Sequence, residues 1–101
     1  MDVRISENDL TITASFNGPF KEPDSELVRK TFDRLTAAPQ QKVLLDLSMV
    51  PIMTSSGIGK LIILFKRLKG QNRELVIHAI HSNLYSMFVS INLHKMLTII
   101  N

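Results

Sequence analysis

Apolar and polar residues alternate through residues 3–5 and again through 10–16, with Glu7, Asn8 and Asp9 between the two stretches. A period of two sends successive side chains to opposite faces of a sheet, so the pattern predicts two short strands joined as a hairpin. Asn17-Gly18-Pro19 ends the second strand, because proline has no amide to donate to a ladder. The period then changes. After the helix-start signal Pro23-Asp24-Ser25-Glu26, the residues Leu27, Val28, Thr31, Phe32 and Leu35 share one helical face and predict an amphipathic helix to about residue 37. Pro39, Gln40 and Gln41 break it. The run Val43-Leu44-Leu45-Asp46-Leu47 predicts a strand buried on both faces, as in the middle of a sheet.

Small hydroxyl residues in Met53-Thr54-Ser55-Ser56-Gly57 open a second helix, expected to run to Lys69 and to be closed by Gly70. Residues 73–79 predict another strand. Ser82 is expected to cap a third helix carrying Leu84, Met87, Phe88 and Ile91, and residues 97–100 predict a last short strand. The order β, β, α, β, α, β, α, β implies an α/β fold: a mostly parallel central sheet of about five strands with helices packed against it. Loops at the carboxyl ends of such strands carry function, which directs attention to Thr54-Ser55-Ser56-Gly57.

The 101 residues fit one domain, 1–101, with no room for a separate catalytic domain, and 45% hydrophobic content is enough to bury a core. Cysteine is absent, so disulfides and thiolate metal sites are excluded. The start, Met1-Asp2-Val3-Arg4, lacks a signal-peptide core, and the longest apolar run, 61–65, is far too short to span a bilayer. A soluble, cytoplasmic protein without direct membrane contact is expected. The net charge of +3 raises nucleic-acid binding as a question. Lys66, Arg67, Lys69 and Arg73 gather at a helix end, without interleaved aromatics for base stacking, so a solvated face is the expectation.

Catalysis finds little support. His78, His81 and His94 have no acidic neighbour in sequence to complete a metal site, and Gly57-Ile58-Gly59 lacks the further glycine and lysine of a phosphate loop. A nucleophilic Ser56 would need a positioned base, and His78 with Asp46 has no spacing that supplies one. No cofactor is expected, and Asp46 reads as a polar strand end that hydrogen-bonds loop amides.

The stretch Val43-Leu44-Leu45-Asp46-Leu47-Ser48-Met49-Val50, followed after three residues by Thr54-Ser55-Ser56-Gly57-Ile58-Gly59, resembles the signature of STAS domains of the anti-sigma factor antagonist type. Residues 10–18 and 88–97 are similar to the family's second strand and its late helix-to-strand segment, so the resemblance covers nearly the whole chain. It implies a non-enzymatic switch in which Ser56 is phosphorylated by a partner. That partner would be a kinase-type anti-sigma factor, an ATP-binding serine kinase, with a cognate phosphatase restoring the unmodified form. A monomer or weak dimer is expected. Two departures stand out. Thr54 replaces the acidic residue found two positions before the modified serine, which keeps Thr54 and Ser55 as alternative modified hydroxyls. The family usually adds a C-terminal helix after the last strand, so a partner surface on that helix is expected to be missing here.

At about 100° per residue, Ile58, Leu61, Ile62, Phe65 and Leu68 form an apolar sector of the second helix, and Ser56, Lys60, Ile63 and Arg67 fall opposite it. Ile63 is therefore the expected anchor of a partner-binding surface that includes Thr54, Ser55, Gly57, Lys60 and Arg67. Lys60, one turn beyond Ser56, is placed to pair with a phosphate on it. A plainer role for Ser55 or Ser56 is to cap the helix. Two further functions fit the same fold: a small STAS subunit that binds the ATPase of a lipid-transport ABC system without phosphorylation, and a stressosome-like scaffold.

Overall fold

The carboxamide of Asn8 starts the fold: its Oδ1 accepts the amides of Leu10 and Thr11 at 3.0 and 2.9 Å and turns the chain back on itself. In the computed structural model, which describes residues 1–100, this turn joins β1 (Asp2–Glu7) to β2 (Thr11–Asn17). There follow α1 (Ser25–Ala37), β3 (Lys42–Met49), α2 (Ser55–Gly70), β4 (Glu74–Ile80), α3 (Ser82–Ser90) and β5 (Thr98–Ile99). The sheet order is β1-β2-β3-β4-β5, with β1 antiparallel to β2 and every later pair parallel. The expected order of elements and the mostly parallel five-stranded sheet are both present.

One face of the sheet holds the core. Ile12, Ala14 and Phe16 of β2, Val43, Leu45 and Leu47 of β3, and Ile77 of β4 form one buried cluster with residues from all three helices. Val28, Phe32 and Leu35 come from α1, Leu61, Leu64 and Leu68 from α2, and Leu84 and Phe88 from α3. Phe16 meets Phe20 and Phe32 edge to face at 5.3 and 5.9 Å, which seats α1 and the segment after β2 on the sheet. None of the helices among the described residues is long and apolar enough to cross a membrane.

β3 lies in the middle of the sheet, but it is not buried on both faces. Val43, Leu45 and Leu47 are buried while Leu44, Asp46 and Ser48 are only half-buried. The register pairs Thr13 with Leu44 and Ser15 with Asp46, so the second sheet face is a partly polar surface without a helical layer. A short apolar run cannot reveal how many faces are covered, because that depends on where distant helices settle.

Helix ends also depart from expectation. α3 is capped by His81, whose Nδ1 accepts the amide of Asn83 at 3.0 Å, and Ser82 is its first residue. Ile91 ends that helix 50% exposed instead of joining the core. Gly70 is the last residue of α2, and the reversal is made by Asn72 in the left-handed region at φ 57°. Leu27 is exposed while Val28 and Thr31 are buried. Arg73 leaves the cationic group and folds inward. Its guanidinium donates to the carbonyls of Gln40 at 2.6 Å and of Leu35 and Thr36 at 3.1 Å, closing the C-terminal end of α1. Burial lowers its pKa from the ordinary arginine value.

Candidate functional site

The loop between β3 and α2 is held in place by the segment that follows β2. The Phe20 amide donates to the Ile52 carbonyl at 3.0 Å, the Thr54 amide to the Phe20 carbonyl at 3.2 Å, and the Gly18 amide to the Met49 carbonyl at 3.0 Å. Gly18 sits at φ +117°, a conformation that side chains disfavour. Three backbone hydrogen bonds between the two segments thus fix the mouth of α2 before any side chain is considered.

Thr54 is the N-cap, with extended backbone and its Oγ1 accepting the Gly57 amide at 3.1 Å. The cap is therefore neither Ser55 nor Ser56, and both serine hydroxyls are left free of that duty. Threonine, like aspartate, has an oxygen placed to cap from this position, so the helix start stays capped with Thr54 there. Gly57 is buried, and a Cβ added to it would lie 2.7 Å from Met53 Cγ and 3.1 Å from Phe20 Cδ2. Its place is close packing under the loop, with no side-chain surface to offer a partner. Ser55 is exposed and Ser56 half-buried, both in the first turn of α2.

Lys60 donates to Ser56 Oγ at 2.7 Å, the i, i+4 contact anticipated from spacing. Beyond it a groove of about 340 Å³ runs between α1 and α2, lined by Lys60, Ile63, Leu64 and Arg67 on one side and by Arg29, Phe32, Asp33 and Thr36 on the other. Ile63 is 50% exposed on its rim. Asp33 bridges the helices, accepting Arg29 at 2.9 Å and Arg67 at 3.2 Å. Glu26 also pairs with Arg29, whose hydrogen bond holds the Glu26 carboxyl below the usual glutamate value. The sequence reading brought Ser56, Lys60, Ile63 and Arg67 together and missed the opposite wall. The spacing Glu26, Arg29, Asp33 is the ion-pairing signal that pointed to it.

Asp46 lies apart from the loop. Its Oδ1 accepts the amide and the hydroxyl of Ser48 at 3.0 and 2.6 Å, so it orders its own strand and not the amides of the loop. Burial raises its carboxyl pKa, but the two Ser48 hydrogen bonds and nearby His78 outweigh this and hold it below the ordinary aspartate value. Among the described residues, the side-chain hydrogen bond to Ser56 comes from Lys60, and neither a histidine nor a carboxylate reaches it. No group of three His, Cys, Asp or Glu side chains among the described residues is placed to hold a metal ion.

This geometry can be set beside known proteins. No curated protein matches the chain in sequence. An anti-sigma factor antagonist from Mycobacterium paratuberculosis matches in structure with a TM-score of 0.87 at 16% identity, covering 98% of this chain and 84% of that one. The Bacillus cell fate determinant SpoIIAA in its phosphorylated form matches with a TM-score of 0.74 at 12% identity, over 99% of this chain and 92% of its own. The STAS domain of a SulP transporter from Vibrio cholerae matches with a TM-score of 0.69 at 18% identity, over 95% and 76%. At such identities the likeness is one of fold. The family model described as STAS domain matches residues 2–101, and with strand order, loop and helix all in place the chain belongs to the STAS domain family.

Proposed function

We propose that this STAS domain is an anti-sigma factor antagonist that works by partner switching. Unmodified, it binds a kinase-type anti-sigma factor through the first turn of α2 and the groove beside it, with Thr54, Ser55, Lys60, Ile63 and Arg67 at the contact. Phosphorylated on Ser56, it lets go, and a phosphatase resets it. In the modifying step Ser56 Oγ bonds to the γ-phosphorus of ATP as the bond to the β–γ bridging oxygen breaks. ADP leaves, and the hydroxyl proton passes to a base on the kinase.

The observation that carries this reading is the separation of two jobs between neighbouring hydroxyls. Thr54 holds the cap, so Ser56 accepts a phosphate without unfastening the helix. The amides of the first turn and the positive end of the helix dipole favour the added charge. A phosphoserine brings about −1.5 to −2 charges to a surface that exposes the apolar side chain of Ile63, and a contact made there is broken by charge and by hydration.

The test is capture from a cell lysate on wild-type, Ser56→Ala and Ser56→Asp baits, with partners quantified by mass spectrometry. An ATP-binding kinase held by the first two baits and lost with Ser56→Asp supports the switch. Equal retention of one transporter ATPase by all three baits overturns it in favour of a structural subunit.

A further inference from the structure

Lys60 stands between two regions that compete for its charge. Its Nζ donates to Ser56 Oγ at 2.7 Å, and its side chain lines the α1–α2 groove. An ammonium has only donors, so this bond uses a lone pair of Ser56 and leaves the hydroxyl proton free to be lost. The other cations of the groove are already committed. Arg29 pairs with Glu26 and Asp33, and Arg67 with Asp33. Lys60 enters none of the ion pairs among the described residues, although its charge reaches Glu26 across the groove and is a minor contributor to lowering that carboxyl, behind Arg29 and Lys30.

We propose that Lys60 is the internal counter-ion of a phosphate on Ser56, so that modification both adds negative charge at the mouth of the groove and neutralises this cation where it stands. The inference rests on Ser56 being the modified residue. The ammonium already touches the atom that becomes the bridging oxygen, so the terminal phosphate oxygens form beside it without backbone movement. A partner carboxylate that met Lys60 in the unmodified protein then faces a phosphate with its counter-charge already taken. One reaction at one atom thereby removes an attraction and installs a repulsion.

Phosphoserine can be installed at position 56 during synthesis, and its second ionisation followed by phosphorus NMR against pH. The midpoint in the otherwise wild-type chain is expected ~0.15 to 0.7 units below that of the same phosphoprotein carrying Lys60→Gln, the range that helix-surface charge interactions correspond to when converted to pKa units. Lys60→Arg should restore most of the shift. Glu26, Arg29 and Asp33 on α1 and Arg67 on α2 also face this region, so Glu26→Gln and Arg67→Gln serve as controls and should move the midpoint less than Lys60→Gln. Circular dichroism establishes that each variant is folded, and Lys60→Met replaces Lys60→Gln if the latter is not. Equal midpoints with and without Lys60, or a larger effect from Arg67→Gln, overturn the proposal. The titration needs no kinase, so its failure removes the counter-ion alone, whereas failure of the capture pattern removes the switch.

Discussion

Gly57 and Gly59 stand two residues apart in one helix turn and face opposite environments. A Cβ at Gly57 meets Met53 and Phe20 inside van der Waals distance, whereas one at Gly59 meets nothing within 4 Å. Gly57→Ala should therefore destabilise the protein by about 1 to 3 kcal/mol through overpacking, less whatever the better helix propensity of alanine returns. Gly59→Ala should stabilise it by roughly 0.5 to 1 kcal/mol, because only the propensity gain operates. Urea unfolding of the two variants checks both signs, and equal effects would mean that the close approach at Gly57 is not a constraint. The motif treats the two glycines alike. Contact with Phe20, 37 residues earlier in the chain, tells them apart.

At the scale of the element, α2 depends on its cap. Three adjacent hydroxyl residues offer one capping oxygen, and the extended backbone at Thr54 selects it, since only a residue just outside the helix can turn its side chain back onto the amides. Thr54→Ala should cost about 0.5 to 2 kcal/mol, Thr54→Ser much less, and Ser55→Ala within about 0.5 kcal/mol, all read from denaturant midpoints at constant slope. A Ser55→Ala cost equal to that of Thr54→Ala would move the cap. α3 follows the same rule with a different atom, the Nδ1 of His81. Composition-based expectation favours serine at such a position, and here the backbone angles rather than the residue's preference made the choice.

Across the whole molecule, three helices cover one sheet face, and the candidate interface forms where α2 emerges beside α1. Ile63 is exposed on that rim between cationic residues, in a position that contributes little to the core. Ile63→Glu should change stability by no more than about 0.5 kcal/mol while abolishing capture of the kinase. Retention of the kinase by a folded Ile63→Glu protein would place the interface elsewhere. Arg73 shows the opposite relation of charge to function: read as part of a basic cluster, it instead closes the carbonyl end of α1 from a half-buried position.

Periodicity is a local signal, and the order of strands and helices followed from it because a period of two or of 3.6 is imposed by the backbone of each segment alone. The loop carrying Ser56, its link to Lys60 and the exposure of Ile63 were legible for the same reason, all lying within one or two helical turns. Distance along the chain marks where that reading stops. The uncovered face behind Asp46, the groove wall built from Arg29 and Asp33, and the burial of Gly57 against Phe20 each require segments far apart in sequence to meet. Packing settled those features, since the apolar sides of all three helices found a single core on one face of the sheet.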